Sequence, residues 1–307
     1  MRDVSHKSNT LRTAIATATV RTTPEAVRRV RSGDLPKGDP LPVAKVAAVQ
    51  AAKATPTLIP YCHPVPVEFV GVDYDFSDDC VFIRTEVKAV YKTGVEMEAL
   101  VAAAAAALNI YDILKQVEDD IEITDIRLVE KKGGKSDIKQ SMDCRAAVVT
   151  VSDRASRGEY EDLTGPVVQE LLRGFGMSVS EVIVVPDEPD QIRTAVTSAI
   201  ENGARIVVTA GGTGVGERDQ TPEALRPIFD RELPGVVQRI LEYGGERTPM
   251  AMLSRAACGI VGSSVVLVLP GSPMGATDGI KAVFPGLLHA IEVLDGDAHM
   301  VKEGGSA

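Results

Sequence analysis

Two different periods organise this chain of 307 residues. In the first half, PVEFVGVDYDF at 66–76 and CVFIRTEVKAVY at 80–91 alternate apolar and polar positions, the signature of half-buried antiparallel strands. Longer helical patterns flank them, over 41–53 and 95–117. Strands with helices gathered on one face of a sheet make an α+β domain. The stretch EKKGGKSDIKQSMD at 130–143 is polar and aperiodic and reads as a linker. Beyond it the pattern changes. RAAVVTV, SVSEVIVV, ARIVVTA and SVVLVLP are short, apolar and β-rich, and helical patterns over 164–174, 191–201 and 221–229 separate most of them. That alternation predicts an α/β three-layer sandwich with a mostly parallel sheet covered on both faces. The expected organisation is a domain over 1–138, a junction at 139–144 and a second domain over 145–300.

In parallel sheets ligands sit at the carboxyl ends of strands. The loops there read SDRASRGEYED, DEPD, GGTGVGERDQTP and GSPMGATDG. Glycines let backbone N–H groups approach an anion closely, and a helix that follows adds its N-terminal dipole. Asp187 and Asp219 would hold a magnesium ion that bridges phosphates, since magnesium takes oxygen ligands. Two readings stand side by side here. The glycine run lacks both the GK[ST] of a P-loop and the GxGxxG of a dinucleotide fold, so taken alone it is equally a structural turn, with Asp219 a helix cap.

The first half carries DVSHKSNT, KGDPLPVA, AAKATPTLIPYCHP, YKTGVEMEAL and LNIYDILKQVE. They supply Lys7, Lys37, Lys53, Lys115, His63, Glu96, Glu98, Asp39 and Asp112, a set suited to acid–base chemistry on a phosphorylated substrate. Asp112 and Lys115 are three apart in an expected helix and share a face, which is also the pattern of a plain surface ion pair. His63 between prolines belongs to a loop. Cys62 beside His63, with no further spaced ligands, does not make a metal site. Met97 between two glutamates reads as a core anchor, and Ala102 to Ala107 as close helix packing.

Composition narrows the function classes. Residues 1–140 hold 19 Lys+Arg against 20 Asp+Glu, and 141–307 hold 14 against 23, so nearly all of the net charge of −10 lies in the second half. Such a surface does not suit nucleic acid, which needs clustered cations. The cysteines Cys62, Cys80, Cys144 and Cys258 are scattered, which fits a reducing cytoplasm and no zinc framework. No run of ~18 uninterrupted apolar residues suggests a membrane span, and MRDVSHKSNT lacks a secretory pattern. Cytoplasmic location is the expectation.

TVSDRASRGEYEDLTGP, TAGGTGVGERDQTPEAL, RELPG and LPGSP together resemble the molybdopterin-binding domain of the MoaB/MogA type. The resemblance implies adenylylation of molybdopterin by ATP with release of pyrophosphate, with Mg2+ accompanying the nucleotide. Asp187 and Asp219 take the two functional aspartate positions. Ser152, Asp153, Gly211, Gly212, Thr213, Gly214, Gly271, Ser272 and Pro273 take the binding loops. Met274 stands where members often carry a lysine, a change expected to weaken anion binding. Some domains of this type are binding modules without catalysis, which is the alternative for this half.

The first-half motifs, with GGKS at 133–136, resemble cyclic pyranopterin monophosphate synthase of the MoaC type, whose fold is ferredoxin-like. The implied reaction converts 3′,8-cyclo-7,8-dihydroguanosine 5′-triphosphate into cyclic pyranopterin monophosphate and pyrophosphate. Lys37 and Lys115 take the acid–base positions, with Asp112 as the supporting carboxylate. Lys53, Cys62, His63, Glu96, Met97 and Glu98 take the substrate pocket. No tightly bound transition metal is implied. Pterin and nucleotide substrates, and other enzymes of molybdenum cofactor synthesis, are the expected partners, with neither nucleic acid nor membrane. One family forms hexamers and the other trimers, so assembly in multiples of three is expected.

Overall fold

The computed structural model describes residues 1–134 and 140–296. It divides into two compact units, Met1–Asp137 and Ile138–Ala307. The start of the expected junction, residues 297–300 and the Lys135–Ser136 pair lie outside the described residues.

The first unit runs β1 (Thr10–Arg21), α1 (Pro24–Ser32), α2 (Pro40–Leu58), β2 (Phe69–Phe76), β3 (Cys80–Tyr91), α3 (Glu96–Leu114) and β4 (Glu122–Lys132). Its four strands form an antiparallel sheet in the order β2-β3-β1-β4. The period of two is visible in burial: Ala14, Ala16, Ala18 and Val20 on β1 and Val81, Ile83, Val87 and Ala89 on β3 face the core. Two helices pack there through small residues. Ala44, Ala48 and Ala52 form an i, i+4, i+8 stripe on α2, and Ala102, Ala103, Ala106 and Ala107 are fully buried on α3. Asp39 caps α2 by accepting from Leu41 N at 3.0 Å.

Helix α3 is long and apolar enough, by length and composition alone, to cross a membrane. Its apolarity has another explanation in this unit, because Ala99, Ala102, Ala106 and Ile110 all point into the core.

The expected linker needs correction at both ends. Glu130, Lys131 and Lys132 pair with Ile15, Ala14 and Thr13, so they are strand. Their side chains sit on an edge, where charge is tolerated and apolar alternation fades. Met142 is 8% exposed, and its N–H donates to Phe175 O at 2.9 Å, so it belongs to the core of the second unit.

The second unit runs β5 (Arg145–Val151), α4 (Asp153–Ser156), α5 (Thr164–Gly174), β6 (Ser178–Val179), β7 (Ile183–Val185), α6 (Pro189–Glu201), β8 (Ile206–Ala210), α7 (Thr221–Leu225), β9 (Arg231–Glu232), α8 (Pro234–Gly245), β10 (Ala257–Val261), β11 (Ser264–Leu269), α9 (Pro273–Val283) and α10 (Leu288–Leu294). The sheet order is β6-β5-β8-β11-β10-β9, with β7 also on β5. Strands β6, β7, β5, β8 and β11 pair in parallel, while β10 and β9 join antiparallel, so the sheet is mixed. SVSEVIVV is two short strands, β6 and β7, rather than one. Alternate residues feed two cores: Val148, Val208 and Leu267 meet α5, α8, α9 and α10, and Val149, Val207 and Val266 meet α6 and α7. Burial on both faces explains why these strands read as continuous apolar runs.

Candidate functional site

The carboxyl ends of β5, β7, β8 and β11 open into one cavity of about 560 Å³. Ser152, Asp187, Gly211, Gly212, Thr213, Gly214, Asp219, Gly271, Ser272 and Pro273 all line it. Of the residues expected there, Asp153 stands outside the lining.

Backbone demands explain the glycines. Gly211 has φ 122°, and a Cβ there would stand 2.0 Å from Val151 O. Gly212 has φ 62°, and its Cβ would meet Thr221 Oγ1 at 2.2 Å. Both positions therefore exclude side chains. Gly214 is open in φ, but a Cβ would stand 2.7 Å from Asp219 Oδ2. Ser152 and Ser272 act as caps, accepting from Ala155 N at 3.2 Å and Gly275 N at 3.1 Å. Ser272 opens α9, an 11-residue helix whose N-terminus faces the cavity.

The carboxylates differ in environment. Asp153 and Asp187 lock their loops reciprocally: Asp153 N donates to Asp187 Oδ2 at 2.8 Å, and Asp187 N donates to Asp153 Oδ1 at 3.1 Å. Arg218 grips Asp153 with Nε and Nη2 at 3.1 and 2.9 Å and reaches Glu188 at 3.0 Å. Those hydrogen bonds hold the Asp153 carboxyl below its usual range. Burial, together with the charges of Asp153 and Asp219, pushes Asp187 up. Asp219 accepts from Gly216 N at 2.9 Å.

Several groups escaped the sequence reading. Asp162 ties down the start of α5, accepting from Thr164 N and Gly165 N at 2.9 and 3.0 Å and from Thr150 Oγ1 at 2.7 Å. An Asp two residues before a Thr-Gly-Pro helix start is a capping signal and could have been read. Arg255 braces the glycine loop from behind, donating to Gly214 O at 2.6 Å and to Asp219 O, and pairing with Glu223. It comes from a distant part of the chain and carries no local signal. The wall made by α8, the segment Pro249–Leu253 and α9 was also unseen. Met274 is 75% exposed and outside the lining.

In the first unit the expected residues form two clusters. At one end of α3, Asp112 bridges two ammonium groups: Lys37 Nζ to Oδ2 at 2.9 Å and Lys115 Nζ to Oδ1 at 2.7 Å. The hydrogen bond from Lys115, then that from Lys37, brings Asp112 down to about 2, and Asp112 in turn raises Lys115. At the other end, Cys62 Sγ donates to Glu98 Oε1 at 3.4 Å. Glu98 is 1% exposed, its Oε2 has no partner among the described residues, and burial raises its carboxyl. Burial and then Glu98 push the Cys62 thiol up to about 11. His63 Nε2 lies 2.8 Å from Arg2 O, so that nitrogen carries the proton. Glu96 pairs with Lys131 at 3.5 Å, and Lys53 is exposed on α2.

Met97 is a correction. It is 36% exposed and no core anchor, because in the first turn of α3 the inward positions are taken by Glu98 and Ala99. The two clusters are not brought together. Lys37, just before α2, meets the end of α3, and Cys62, just after α2, meets its start, so the helices run antiparallel. At roughly 1.5 Å per residue, Glu98 and Asp112 stand about 20 Å apart along α3.

Comparison with known proteins accords with this division. The model of the MoaC family matches residues 1–134, and a model described as "Probable molybdopterin binding domain" matches residues 147–289. The molybdenum cofactor biosynthesis bifunctional protein of Chlorobaculum tepidum is 42% identical, over 97% of this chain and 96% of that protein. Its counterpart in Synechococcus elongatus is 39% identical, over 99% of this chain and 100% of that protein. The cyclic pyranopterin monophosphate synthase of Pelobacter propionicus is 49% identical, over 45% of this chain and 88% of that protein. With both domains matched in order and the whole length aligned to such relatives, the chain belongs to the family of bifunctional molybdenum cofactor biosynthesis proteins.

Proposed function

We propose that the chain is an enzyme with two activities. Its first unit converts 3′,8-cyclo-7,8-dihydroguanosine 5′-triphosphate to cyclic pyranopterin monophosphate and pyrophosphate. Its second unit adenylylates molybdopterin with ATP. The observation that carries the reading is the strand-end cavity of the second unit, where glycine-shaped backbone and the start of α9 meet Asp219 and the half-buried Asp187. Phosphate oxygens are received there by N–H groups rather than by side-chain cations.

The second unit's carboxylates fit a magnesium ion carried in with the nucleotide. Asp187 Oδ1 faces the glycine loop, and Asp219 keeps Oδ1 free of the hydrogen bond that Oδ2 accepts. Among the described residues no group of three or more His, Cys, Asp or Glu is arranged to hold a metal, so phosphates and water would complete the shell. Such an ion supplies charge neutralisation at the transferring phosphate. Asp153, tied up by Arg218, keeps the Asp187 loop in place rather than binding the ion.

In the first unit Asp112 holds the Lys37 and Lys115 ammonium groups side by side and raises Lys115. They enter the reaction as proton donors and phosphate contacts, and Glu98 with His63 meets the ring. The order βααββαβ, which is βαββαβ with the short α1 added in the first crossover, and the sheet order β4-β1-β3-β2 support reading this unit as ferredoxin-like. The separation of about 20 Å along α3 supports a site completed by a second copy, and with it assembly in multiples of three. A monomeric mass by light scattering would contradict that assembly. We infer a cytoplasmic setting and further enzymes of the same pathway as partners.

Both reactions release pyrophosphate, so one readout tests both. Each substrate is supplied separately, ATP with molybdopterin and Mg2+, to the wild type and to Lys115→Gln and Asp219→Asn. Each variant is expected to lose one activity and keep the other. Molybdopterin that binds the wild type with no pyrophosphate released would make the second unit a binding module.

A further inference from the structure

The cavity of the second unit has a feature that its proposed chemistry does not consume. Among the described residues no lysine, arginine or histidine lines it, but Asp162, Asp187, Asp219 and Asp278 do. Three of these are engaged. Asp162 accepts three hydrogen bonds at the start of α5, Asp187 takes the Asp153 N–H, and Asp219 takes the Gly216 N–H. Asp278 on α9 is different. Its side chain is only 18% exposed, and its ion-pair partner Arg247 holds Nε at 3.9 Å, beyond hydrogen-bonding range. No donor among the described residues hydrogen-bonds its oxygens. A half-buried carboxylate without donors is costly unless something else supplies them.

Its surroundings indicate what does. Asp278 lies between Gly275 and Gly279 on α9, in the part of the cavity walled by Ile240, Leu241 and Gly244 of α8 and by Met250 and Leu253. Those walls are mainly apolar and carry one carboxylate, a setting that suits a heteroaromatic ring. A carboxylate offers two parallel acceptors, and its matching partner is a ring edge with two adjacent N–H donors. The 2-amino-4-oxopyrimidine edge of a pterin presents N3–H and the 2-amino group in that arrangement. Adenine presents a donor beside an acceptor and leaves one carboxylate oxygen facing a lone pair.

We propose that Asp278 is the specificity-determining residue of the second unit, reading the 2-amino-4-oxo edge of the pterin ring within the α8–α9 apolar wall. This rests on the reading of the cavity as a pterin and nucleotide site, and it divides that site. The ring goes to the α8–α9 side, and phosphates and metal go to the glycine loop with Asp187 and Asp219. A guanine base shares the same edge, so the test must separate the two sources.

The experiment is equilibrium binding to the full chain, followed by the fluorescence of 2-amino-4-oxopteridine itself and needing no turnover. Lumazine, which has an oxo group in place of the 2-amino group, and GMP are tested as competitors, and MgATP affinity is measured separately. Wild type is expected to prefer the aminopterin to lumazine. Asp278→Asn should weaken aminopterin binding about 10- to 100-fold and erase the preference, the scale of one or two charge-assisted hydrogen bonds. MgATP affinity should stay within about twofold, since its proposed contacts are elsewhere. Asp278→Glu serves as a second variant, expected to keep part of the preference, and thermal midpoints check folding.

An aminopterin affinity unchanged in Asp278→Asn overturns the proposal while leaving the cavity a pterin site. Loss of MgATP binding in place of pterin binding overturns it too, assigning Asp278 to the nucleotide. GMP binding tightly where the pterin does not would replace pterin by guanine. No pterin binding to wild type at all would strike the underlying reading instead.

Discussion

Gly212→Ala tests whether the glycine loop is held in the shape described. Gly212 sits at φ 62°, where an alanine costs about 1–2 kcal/mol relative to glycine. The added Cβ would also stand 2.2 Å from Thr221 Oγ1, and Thr221 is fully buried at the start of α7. Relieving that overlap means moving packed atoms, an overpacking cost of about 1–3 kcal/mol. The combined loss, about 3.5 kcal/mol at mid-range, corresponds to a fall of roughly 7–14 °C in the thermal midpoint of a domain this size. Scanning calorimetry of the full chain reads it as a shift in one transition, with that of the first unit unmoved. Thr221→Ala removes the clashing hydroxyl, which has no hydrogen-bond partner among the described residues. The double variant should therefore recover about half of the loss, leaving the backbone share. A single variant within about 1 °C of wild type, or a double variant with no recovery, would refute the argument.

Three further outcomes are expected. Arg255→Gln removes the brace on Gly214 O and Asp219 O, and should weaken MgATP binding about tenfold and cost about 1–3 kcal/mol of stability, read by calorimetric titration and urea melts. Lys115→Met should raise the Asp112 carboxyl from about 2 toward its ordinary range, and more than Lys37→Met does, as followed by carboxyl NMR titration. Glu98 is raised by burial, so its folded form holds a proton that the unfolded chain releases first. Its contribution is present below the ordinary value of 4.5 and is lost as pH climbs through the folded value. Glu98→Gln should thus gain stability relative to wild type at about pH 8 compared with about pH 4, and a pH-independent difference between their melts would contradict the raised carboxyl.

Much of the second unit was legible in the chain because its physics is local. Strands buried on both faces spell themselves out as apolar runs, and α5 begins and ends where its pattern does, at Thr164–Gly174. The loops at strand ends followed from topology, and the residues read from them, Asp153 apart, line one cavity. Elements of small or mixed residues were silent. Strand β1, TLRTAIATATVR, is built of Ala and Thr, whose alternation barely registers as hydrophobic, yet it is central in its sheet. Short β9 and the hairpin partner β10 likewise depend on neighbours for their pairing. Arg255 was invisible for a related reason: its role exists only once the fold carries it to Gly214. Lys37 and Asp112 lie far apart in sequence, and their meeting depends on helices packed side by side. The spacing of Glu98 and Asp112 was readable, but their separation at opposite ends of one helix acquires meaning only with the helix axis in place.

The alanine seam between α2 and α3 sets a limit on how this chain can drift. Every alanine codon is one base change from Val, Thr, Pro, Ser, Gly and one of Asp or Glu. At Ala44, Ala48, Ala52, Ala102, Ala103, Ala106 and Ala107, where exposure is at most 1%, four of those six neighbours add bulk, charge or a helix break to a contact with no room. Serine brings a hydroxyl, and glycine gives up about 1 kcal/mol of helix propensity. Almost every amino-acid change one nucleotide away is therefore harmful at these positions, although none of the seven is expected to meet a substrate. The mutational load of the first unit is concentrated in its plainest residues, and a saturation library selected only for folding would recover that seam before it recovered the lysines.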